Sequence, residues 1–263
     1  MTIDAYSVTS LKLDMLCGSV SIGTATGFIY ERNGESFLVS NWHVFSGRHP
    51  GTGQALRRDA AIPDEVCVSV NYPIAHGLGK SKLALPLIST EGVPLWKQHA
   101  RGQDFDVSVL PLQHLTPVYH LPEPGEENGL SMQVSMDCYI LGFPEGIAHQ
   151  GNLPIWKRAS IATEPELPHN ELPVFLVDTA TRHGMSGSPV LLRSFGTALM
   201  EDGTTHTGAG VFTRFIGVYS GRYGADDELA VQLGRVWHRH LIDEIIDDPK
   251  SGAYELRPSQ RSP

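Results

Sequence analysis

Cysteine is scarce in this sequence, and its spacing excludes two common kinds of cysteine-dependent fold. Three cysteines occur in 263 residues, at Cys17, Cys67 and Cys138, and no Cys-x-x-Cys pair is present. An odd number of distant cysteines does not build a disulfide framework, and it lacks the paired ligands of a zinc ribbon. Buried, reduced thiols are the ordinary interpretation, and they favour a reducing compartment.

Basic charge and long apolar runs are also lacking. Lys and Arg number 20 against 29 for Asp and Glu, for a net charge of −9, and no basic run is present. Because a nucleic-acid-binding domain usually carries a basic patch, we expect no nucleic-acid partner. No stretch approaches the roughly 18 apolar residues that a membrane helix needs, and residues 1–16 lack the basic and apolar segments of a signal peptide. These absences predict a cytoplasmic protein with no membrane partner.

What the sequence does contain is a series of short strand-like runs. Turn formers are abundant, with 27 Gly and 18 Pro, and they separate runs rich in Val, Ile, Phe and Thr, which favours an all-β sandwich or barrel. The predicted strands are residues 18–22, 26–30, 36–40, 65–72, 107–110, 133–141, 157–163, 174–178, 190–192 and 210–219. Residues 47–64 and 73–98 are predicted to be long surface loops, which are often functional.

Two further features predict how the chain is organised. Residues 116–129 are rich in proline and acidic residues, which is typical of a connector between a unit at 1–115 and a unit at 130–228. From Leu229 to Ile246 the apolar residues recur at spacings of three and four, which predicts a C-terminal helix over 229–249. Residues 250–263 are predicted to be a polar tail.

Two segments carry a candidate base and a candidate acid. His43 follows the apolar run in FLVSNWHVF, where a strand can hold an imidazole rigidly at the edge of a cleft. Asp106 directly precedes the apolar residues 107–110, and a carboxylate there is costly unless it has a partner such as an imidazole N–H. Asp104 lies on the more polar side of the same segment. Each of these residues, taken alone, is better explained as structural.

The third candidate is Ser186, in TRHGMSGSPV. Gly184 and Gly187 flank it and allow unusual backbone angles and close approach of a substrate. The backbone N–H groups of Gly184, Met185 and Ser186 are candidates to hold a developing oxyanion. A tight turn between strands is the alternative for this segment alone. Together, however, His, Asp and Ser in this chain order form the parts of an acyl-transfer triad, in the order of chymotrypsin-like proteases.

Seven segments in family order resemble a bacterial trypsin-like serine peptidase of the chymotrypsin fold, of a non-digestive and cytoplasmic branch. They run from about residue 20 to about residue 225: TATGFIY, FLVSNWHVF, DVSVLPL, ILGFP, IWKRASIAT, VDTATRHGMSGSPV and IGVYSG. The resemblance implies two packed six-stranded antiparallel β-barrels with a C-terminal α-helix. It also implies a serine endopeptidase in which Ser186 is the nucleophile, His43 the base and Asp106 its orienting acid. It implies no cofactor and no metal.

Two positions depart from the family pattern. Digestive members carry an acid before the nucleophile that pairs with a new N-terminus, and Met185 stands there in this chain. The oxyanion loop is therefore expected to form without processing, or to be ordered by substrate or by a partner. Ser188 replaces the second glycine after the nucleophile, which is expected to be tolerated because serine is small.

The substrate is expected to be a protein or peptide. The resemblance places the residues that bind it at Ala180, Thr181, Arg182, His183, Tyr219, Ser220, Gly221 and Arg222. Ala180 and Thr181, near the pocket floor, are uncharged, so a small or apolar side chain is expected, and Arg222 leaves an acidic one as the alternative. Narrow specificity or a regulatory protein partner is expected, since an unrestrained protease endangers its host.

Three other functions were weighed against this one. The same fold could be a catalytically silent binding module, although all three catalytic residue types are present. An α/β-hydrolase would need glycine at Ser188 and alternating strands and helices upstream. A metal enzyme would have to use His238 and His240, which point to different sides of the predicted helix and have no carboxylate to complete a site.

Overall fold

A computed structural model describes residues 3–75, 77–112, 119–121, 129–180, 182–222 and 232–252. Fourteen strands and two short α-helices form the regular structure of these residues. The strands are β1 (Ser10–Cys17), β2 (Val20–Arg32), β3 (Glu35–Ser40), β4 (Glu65–Ile74), β5 (Gly77–Pro86), β6 (Lys97–Gln98), β7 (Ser108–Leu112), β8 (Asp137–Gly142), β9 (Ile155–Ile161), β10 (Val174–Asp178), β11 (Pro189–Leu199), β12 (Thr205–Arg222), β13 (Leu233–His238) and β14 (Lys250–Ser251). The helices are α1 (Trp42–Ser46) and α2 (His240–Asp247).

The C-terminal unit is a closed six-stranded barrel with the order β10-β13-β12-β11-β8-β9. All of its strand pairs are antiparallel. Its interior is filled by apolar side chains from every strand, among them Ile140, Phe175, Val190 and Val236. The predicted all-β fold of two packed units is confirmed, with a six-stranded barrel in this half.

The N-terminal unit differs in strand number from the prediction. Its antiparallel sheet has eight strands, in the order β14-β6-β7-β3-β2-β1-β4-β5. Residues 77–86 pair with β4 along their whole length, so the prediction of a loop over 73–98 is wrong there. Two glycines and two lysines interrupt β5, and its side chains are mostly exposed, so only its last residues show apolar alternation in the sequence. The short strand β14 adds the other edge by pairing with β6.

The predicted C-terminal helix is wrong in its first half. Residues 233–238 form β13, which pairs with both β10 and β12, and only His240–Asp247 is helical. Val236 and Trp237 are fully buried in the strand. Apolar spacings of three fit a short buried strand as well as a helix, so periodicity alone could not separate the two. Residues 229–231 lie outside the described part of the chain.

One apolar cluster joins the two units. It combines side chains of β2, β3 and β7 with side chains of β10, β12 and β13. Phe28 and Phe215 meet there edge to face, with ring centroids 5.3 Å apart. Such a buried contact fixes how the barrels sit against each other, and hence the cleft between them.

Helix α2 is tied to the N-terminal unit. The Tyr30 hydroxyl donates to Asp243 Oδ1 at 2.9 Å, and the Arg32 guanidinium makes two hydrogen bonds to Asp247. Burial and the neighbouring Asp243 raise the pKa of Tyr30 to about 12. The neutral phenol is therefore kept as a donor to the helix at all ordinary pH values.

The connector predicted at 116–129 lies mostly outside the described residues. Within 119–121, Leu121 is buried and its N–H donates to Ile29 O at 3.0 Å. The unit boundaries stay predictions, as does the tail beyond β14. Among the residues that can be described, none of the helices has the length and apolar character to cross a membrane.

Candidate active site

The pairing of β3 with β7 brings His43 and Asp106 together. Ser40 lies opposite Ser108 in that pair, so the residues just beyond each strand are neighbours. After Ser40 the chain turns into α1, and His43 lies in this one-turn helix instead of at a strand end. The Asn41 side-chain amide donates to the backbone oxygen of Asp106 at 2.7 Å, which ties the two segments together.

His43 and Asp106 form a tight, largely buried pair. Asp106 is 1% exposed, and its two carboxylate oxygens lie 2.8 and 3.0 Å from His43 Nδ1. The backbone N–H of His43 also donates to this carboxylate at 2.9 Å. An ionised carboxylate can only accept, so Nδ1 carries the proton and Nε2 is left as the basic nitrogen. The cost of burying Asp106 is thus offset by two donors of His43, the Nδ1–H shared by both carboxylate oxygens and the backbone N–H.

Asp104 lies outside this arrangement. Its side chain is 44% exposed and lies 3.7 Å from Arg101 Nε, on the polar turn before β7. Of the two aspartates weighed from the sequence, Asp106 is therefore the one that contacts His43.

Ser186 sits in a turn that only glycines can build. Gly184 and Gly187 have φ of 87° and 84°, in the left-handed region that L side chains avoid. A Cβ on Gly184 would lie 2.3 Å from Phe143 O, and a Cβ on Gly187 would lie 2.1 Å from Thr26 O. The turn leaves Ser186 partly exposed between buried neighbours.

Ser186 and His43 line the same cavity, which has a volume of about 180 Å³. No hydrogen bond joins Ser186 Oγ to the His43 ring among the bonds of the described residues. Catalytic hydrogen bonds are often long in the absence of substrate and shorten when it binds. The shared cavity is therefore the observation that relates the serine to the His43–Asp106 pair.

Two backbone N–H groups of the turn are unused. Met185 N–H donates to Arg182 O, and Gly187 N–H donates to Tyr219 O. Gly184 and Ser186 N–H have no protein acceptor among the described residues. Of the three predicted oxyanion donors, Met185 is thus engaged within the turn, and its side chain is fully buried in the C-terminal barrel.

The direction of the Gly184 N–H is set by the peptide before it. The carbonyl of His183 accepts from Glu145 N–H at 2.7 Å. No cis peptide bond occurs in the described residues, so the Gly184 N–H points opposite to that carbonyl. The unused N–H donors of Gly184 and Ser186 therefore lie in a turn whose backbone carbonyls already accept hydrogen bonds.

Thr26 holds this turn from the N-terminal unit, and sequence analysis did not identify it. Its buried hydroxyl donates to Gly184 O at 2.7 Å and accepts from Phe143 N–H at 3.2 Å. Its backbone N–H donates to Ser186 O at 2.9 Å. The Ser40 hydroxyl in turn donates to Thr26 O at 2.8 Å. The only sequence signal was a buried polar residue within TATGFIY.

The residues predicted to bind substrate differ in their exposure and in their distance from the Ser186 cavity. Ala180 is exposed, and its carbonyl accepts a hydrogen bond from Lys157 Nζ. His183 lies on the wall of the Ser186 cavity. Arg182 is exposed on the same loop. Thr181 and the side chain of Arg222 lie outside the described residues.

On β12, the prediction for Tyr219 is wrong as to its side chain, because Tyr219 is fully buried. Alternate residues of a strand face opposite sides, and the side chain of Tyr219 faces into the barrel. Ser220 Oγ accepts from Trp237 Nε1 at 3.0 Å. Gly221 comes nearest to the nucleophile, since a Cβ there would lie 3.9 Å from Ser186 Oγ.

His238 and His240 form no metal site. Their rings stack with centroids 5.5 Å apart. Burial and the neighbouring His240 lower the pKa of His238 to about 4. Within the described part of the chain, no group of three or more His, Cys, Asp or Glu residues is arranged to hold a metal ion.

Comparison with known proteins identifies the family. A family model described as the trypsin-like peptidase domain matches residues 25–197, which is more than half of the chain. No curated protein matches the sequence.

Many solved structures are similar to this chain, and three of them illustrate the likeness. The Rv3671c protease from M. tuberculosis, in its active form, is 17% identical, with 95% of this chain and 85% of that chain covered and a TM-score of 0.48. The serine endoprotease from Yersinia pestis is 11% identical, with 94% and 66% covered and a TM-score of 0.51. The MamO protease domain from Magnetospirillum magneticum is 13% identical, with 90% and 95% covered and a TM-score of 0.48.

At such identities the likeness to the Yersinia pestis structure supports the fold alone. The matched range of the family model, however, contains all three candidate catalytic residues, on the two packed antiparallel units described above. This chain therefore belongs to the family of trypsin-like peptidase domains and is a serine-type endopeptidase.

Proposed function

We propose that the chain hydrolyses peptide bonds through an acyl-enzyme on Ser186, with His43 as base and Asp106 as its orienting acid. The observation that carries the proposal is the buried His43–Asp106 pair at 2.8 Å on the wall of the cavity that Ser186 lines. Such a pair holds an imidazole in one tautomer and stabilises the imidazolium that forms when the serine proton is taken.

The steps follow from these positions. Ser186 Oγ attacks the carbonyl carbon of the substrate while His43 Nε2 takes its proton. The negative charge that develops on the carbonyl oxygen is met by the unused N–H groups of Gly184 and Ser186. His43 then gives its proton to the leaving amine, and a water molecule attacks the ester in the same way.

We further propose that the oxyanion loop is set without N-terminal processing. Two observations support this. The His183 carbonyl is held by Glu145 N–H at 2.7 Å, and Thr26 fixes Gly184 O at 2.7 Å. Neither contact needs the acid that Met185 replaces. Restraint by narrow specificity is accordingly favoured over gating by a regulatory protein.

The setting of the enzyme is proposed from its thiols. The three cysteines are free, and burial raises the pKa of Cys138 to about 12. Three unpaired thiols favour a reducing compartment such as the cytoplasm, where the substrate is a protein or peptide.

Labelling with a fluorophosphonate tests the nucleophile. The wild-type chain should be labelled, whereas Ser186→Ala and His43→Ala should not. Ser188→Ala is the matched control, because Ser188 is buried in the same turn and should leave labelling intact. If wild-type protein that is folded by circular dichroism takes no label, the fold is used as a binding module and the proposal is wrong.

A further inference from the structure

The cavity beside Ser186 is built almost entirely by the N-terminal unit. Besides the nucleophile turn, its walls come from β1, β2, α1 and the segment between α1 and β4. That segment is ordered by backbone bonds, including Leu56 N–H to Gly47 O at 2.9 Å and His49 N–H to Gln54 O at 2.8 Å. None of the β12 residues whose side chains are described lines the cavity. It therefore lies on one definite side of Ser186.

That side is the side of the leaving amine. The imidazole that takes the serine proton also gives it to the leaving nitrogen, so the leaving half of the substrate lies next to His43. Val44, which follows His43 in α1, is itself a wall of the cavity. The acyl half must lie toward β12, where Gly221 approaches Ser186 Oγ.

The chemistry of the walls is apolar. Apart from the catalytic groups, the lining is dominated by the side chains of Met15, Ile22, Val44, Leu56 and Pro63. Leu56 is 50% exposed at the rim, so a bound apolar group would remove much of its surface from water. A volume of about 180 Å³ suits one large side chain, since an apolar cavity of ~150 Å³ can hold benzene.

Arg57, the one Lys or Arg among the described residues that line the cavity, is already neutralised. Arg57 donates to both carboxylate oxygens of Asp59, at 2.9 and 2.7 Å, and to Ile22 O at 3.0 Å. Arg57 lowers the pKa of Asp59 to about 2, so the pair stays ionised on both sides. An acidic side chain would have to compete with Asp59 for this guanidinium, and a basic one would face it unpaired.

On the acyl side, β12 turns one large aromatic side chain into the C-terminal barrel. Tyr219, directly behind the nucleophile turn, is fully buried. Its ring fills the space over Gly234, where a Cβ would lie 2.4 Å from Tyr219 Cε2 and 3.2 Å from Thr179 Cγ2.

We propose that this cavity binds the side chain of the residue that follows the cleaved bond, and that it selects a large apolar one such as Leu, Met or Phe. The proposal rests on the peptidase function proposed above. It assigns the walls of the cavity, and Leu56 at its rim above all, a part in specificity.

Acyl transfer to amino-acid amides tests the leaving side alone. The purified chain is acylated with the p-nitrophenyl ester of acetyl-alanine, and leucinamide, phenylalaninamide, glycinamide or lysinamide competes with water for the acyl-enzyme. The amine nitrogen forms the new amide bond, the ester bond to Ser186 Oγ breaks, and the amine proton passes through His43 to Oγ. The ratio of amide product to free acetyl-alanine measures binding of each amine in the cavity.

Leucinamide and phenylalaninamide should exceed glycinamide in this ratio by about tenfold or more, as expected for burying one large apolar side chain. Leu56→Ala should lower the leucinamide ratio several-fold, and Ala61→Phe, which fills the cavity, should bring it close to that of glycinamide. Leu167→Ala is the matched control, because Leu167 is 64% exposed and does not line the cavity.

The outcomes separate this proposal from the function on which it rests. If the acyl-enzyme forms but the four amines give equal ratios, or lysinamide gives the highest, the apolar subsite is wrong and the peptidase function stands. If no burst of p-nitrophenol depends on Ser186, the proposed function is wrong and the subsite falls with it.

Discussion

Thr26→Val should cripple turnover without removing any group that touches the substrate. Valine has nearly the shape of threonine but lacks the hydroxyl that donates to Gly184 O and accepts from Phe143 N–H. Both groups are buried, and each one left without a partner costs roughly 1–3 kcal/mol. The Gly184 carbonyl and the donor side of the turn would then shift toward other partners, so the oxyanion donors would be correctly placed in only a fraction of molecules.

Complete loss of one oxyanion donor typically lowers kcat by ~10²–10³-fold. A loop that holds its donors correctly in only a fraction of molecules should lower kcat by about 10- to 100-fold. Because the loss is felt in the transition state, kcat should fall while KM changes little. Thr26→Ser keeps the hydroxyl and should restore most of the activity, which a purely structural effect of packing at this position would not.

The assay is the burst and steady-state hydrolysis of an activated ester, together with the rate of fluorophosphonate labelling. Thermal melting should be measured in parallel, because the same orphaned groups should lower the melting temperature of Thr26→Val. Wild-type kcat in Thr26→Val would refute the reasoning. So would a Thr26→Ser variant as slow as Thr26→Val, because the hydroxyl could then not be the cause.

Three other variants test the catalytic acid, the nucleophile turn and the titration of a buried histidine. Asp106→Asn should keep the fold and lose about 10⁴-fold in kcat, since the amide favours the wrong imidazole tautomer. The kcat of Asp104→Asn should stay within about twofold of wild type. A larger loss in Asp104→Asn than in Asp106→Asn would show that the aspartate is misassigned. Gly187→Ala should lower the melting temperature far more than Gly34→Ala. Both glycines have positive φ, but a Cβ on Gly187 would lie 2.1 Å from a backbone oxygen, whereas nothing lies within 4 Å of one on Gly34. Equal losses of melting temperature in calorimetry would contradict a steric cause. His238, with its folded pKa lowered from 6.5 to about 4, binds its proton more weakly in the folded state, so its contribution is fully present above pH 6.5 and is lost as pH falls toward 4. His238→Phe should therefore flatten the melting temperature between those pH values, and an unchanged pH profile would contradict the assignment.

The His43–Asp106 pair was predictable because its signals are local. A polar residue placed directly against an apolar strand needs a partner, and the chain order of His, Asp and Ser narrows the choice of partner. The all-β character of the C-terminal unit was predictable for a similar reason, since most of its short β-branched runs are separated by turn residues. Its closure into a six-stranded barrel was implied only by the family resemblance.

What could not be predicted depends on contacts between distant segments. Thr26 meets Gly184 across a separation of 158 residues, and nothing within TATGFIY marks that meeting. The strand β5 pairs with β4 along its whole length, while only Leu83 and Leu85 of its side chains pack against the N-terminal core. The cavity at Leu56 exists only because the segment before β4 folds back over β1 and β2. The sequence therefore indicated a functional loop there, but not the apolar character of the cavity.

The contacts of α2 and β14 with the N-terminal unit have a consequence for synthesis. Residues 240–251 leave the ribosome long after residues 1–115, yet they supply the partner of Tyr30 and the edge strand beside β6. The half of the protein that holds His43 and Asp106 thus emerges first but lacks its own last strand and its helix. The N-terminal unit therefore cannot complete these contacts until residues 240–251 have been translated.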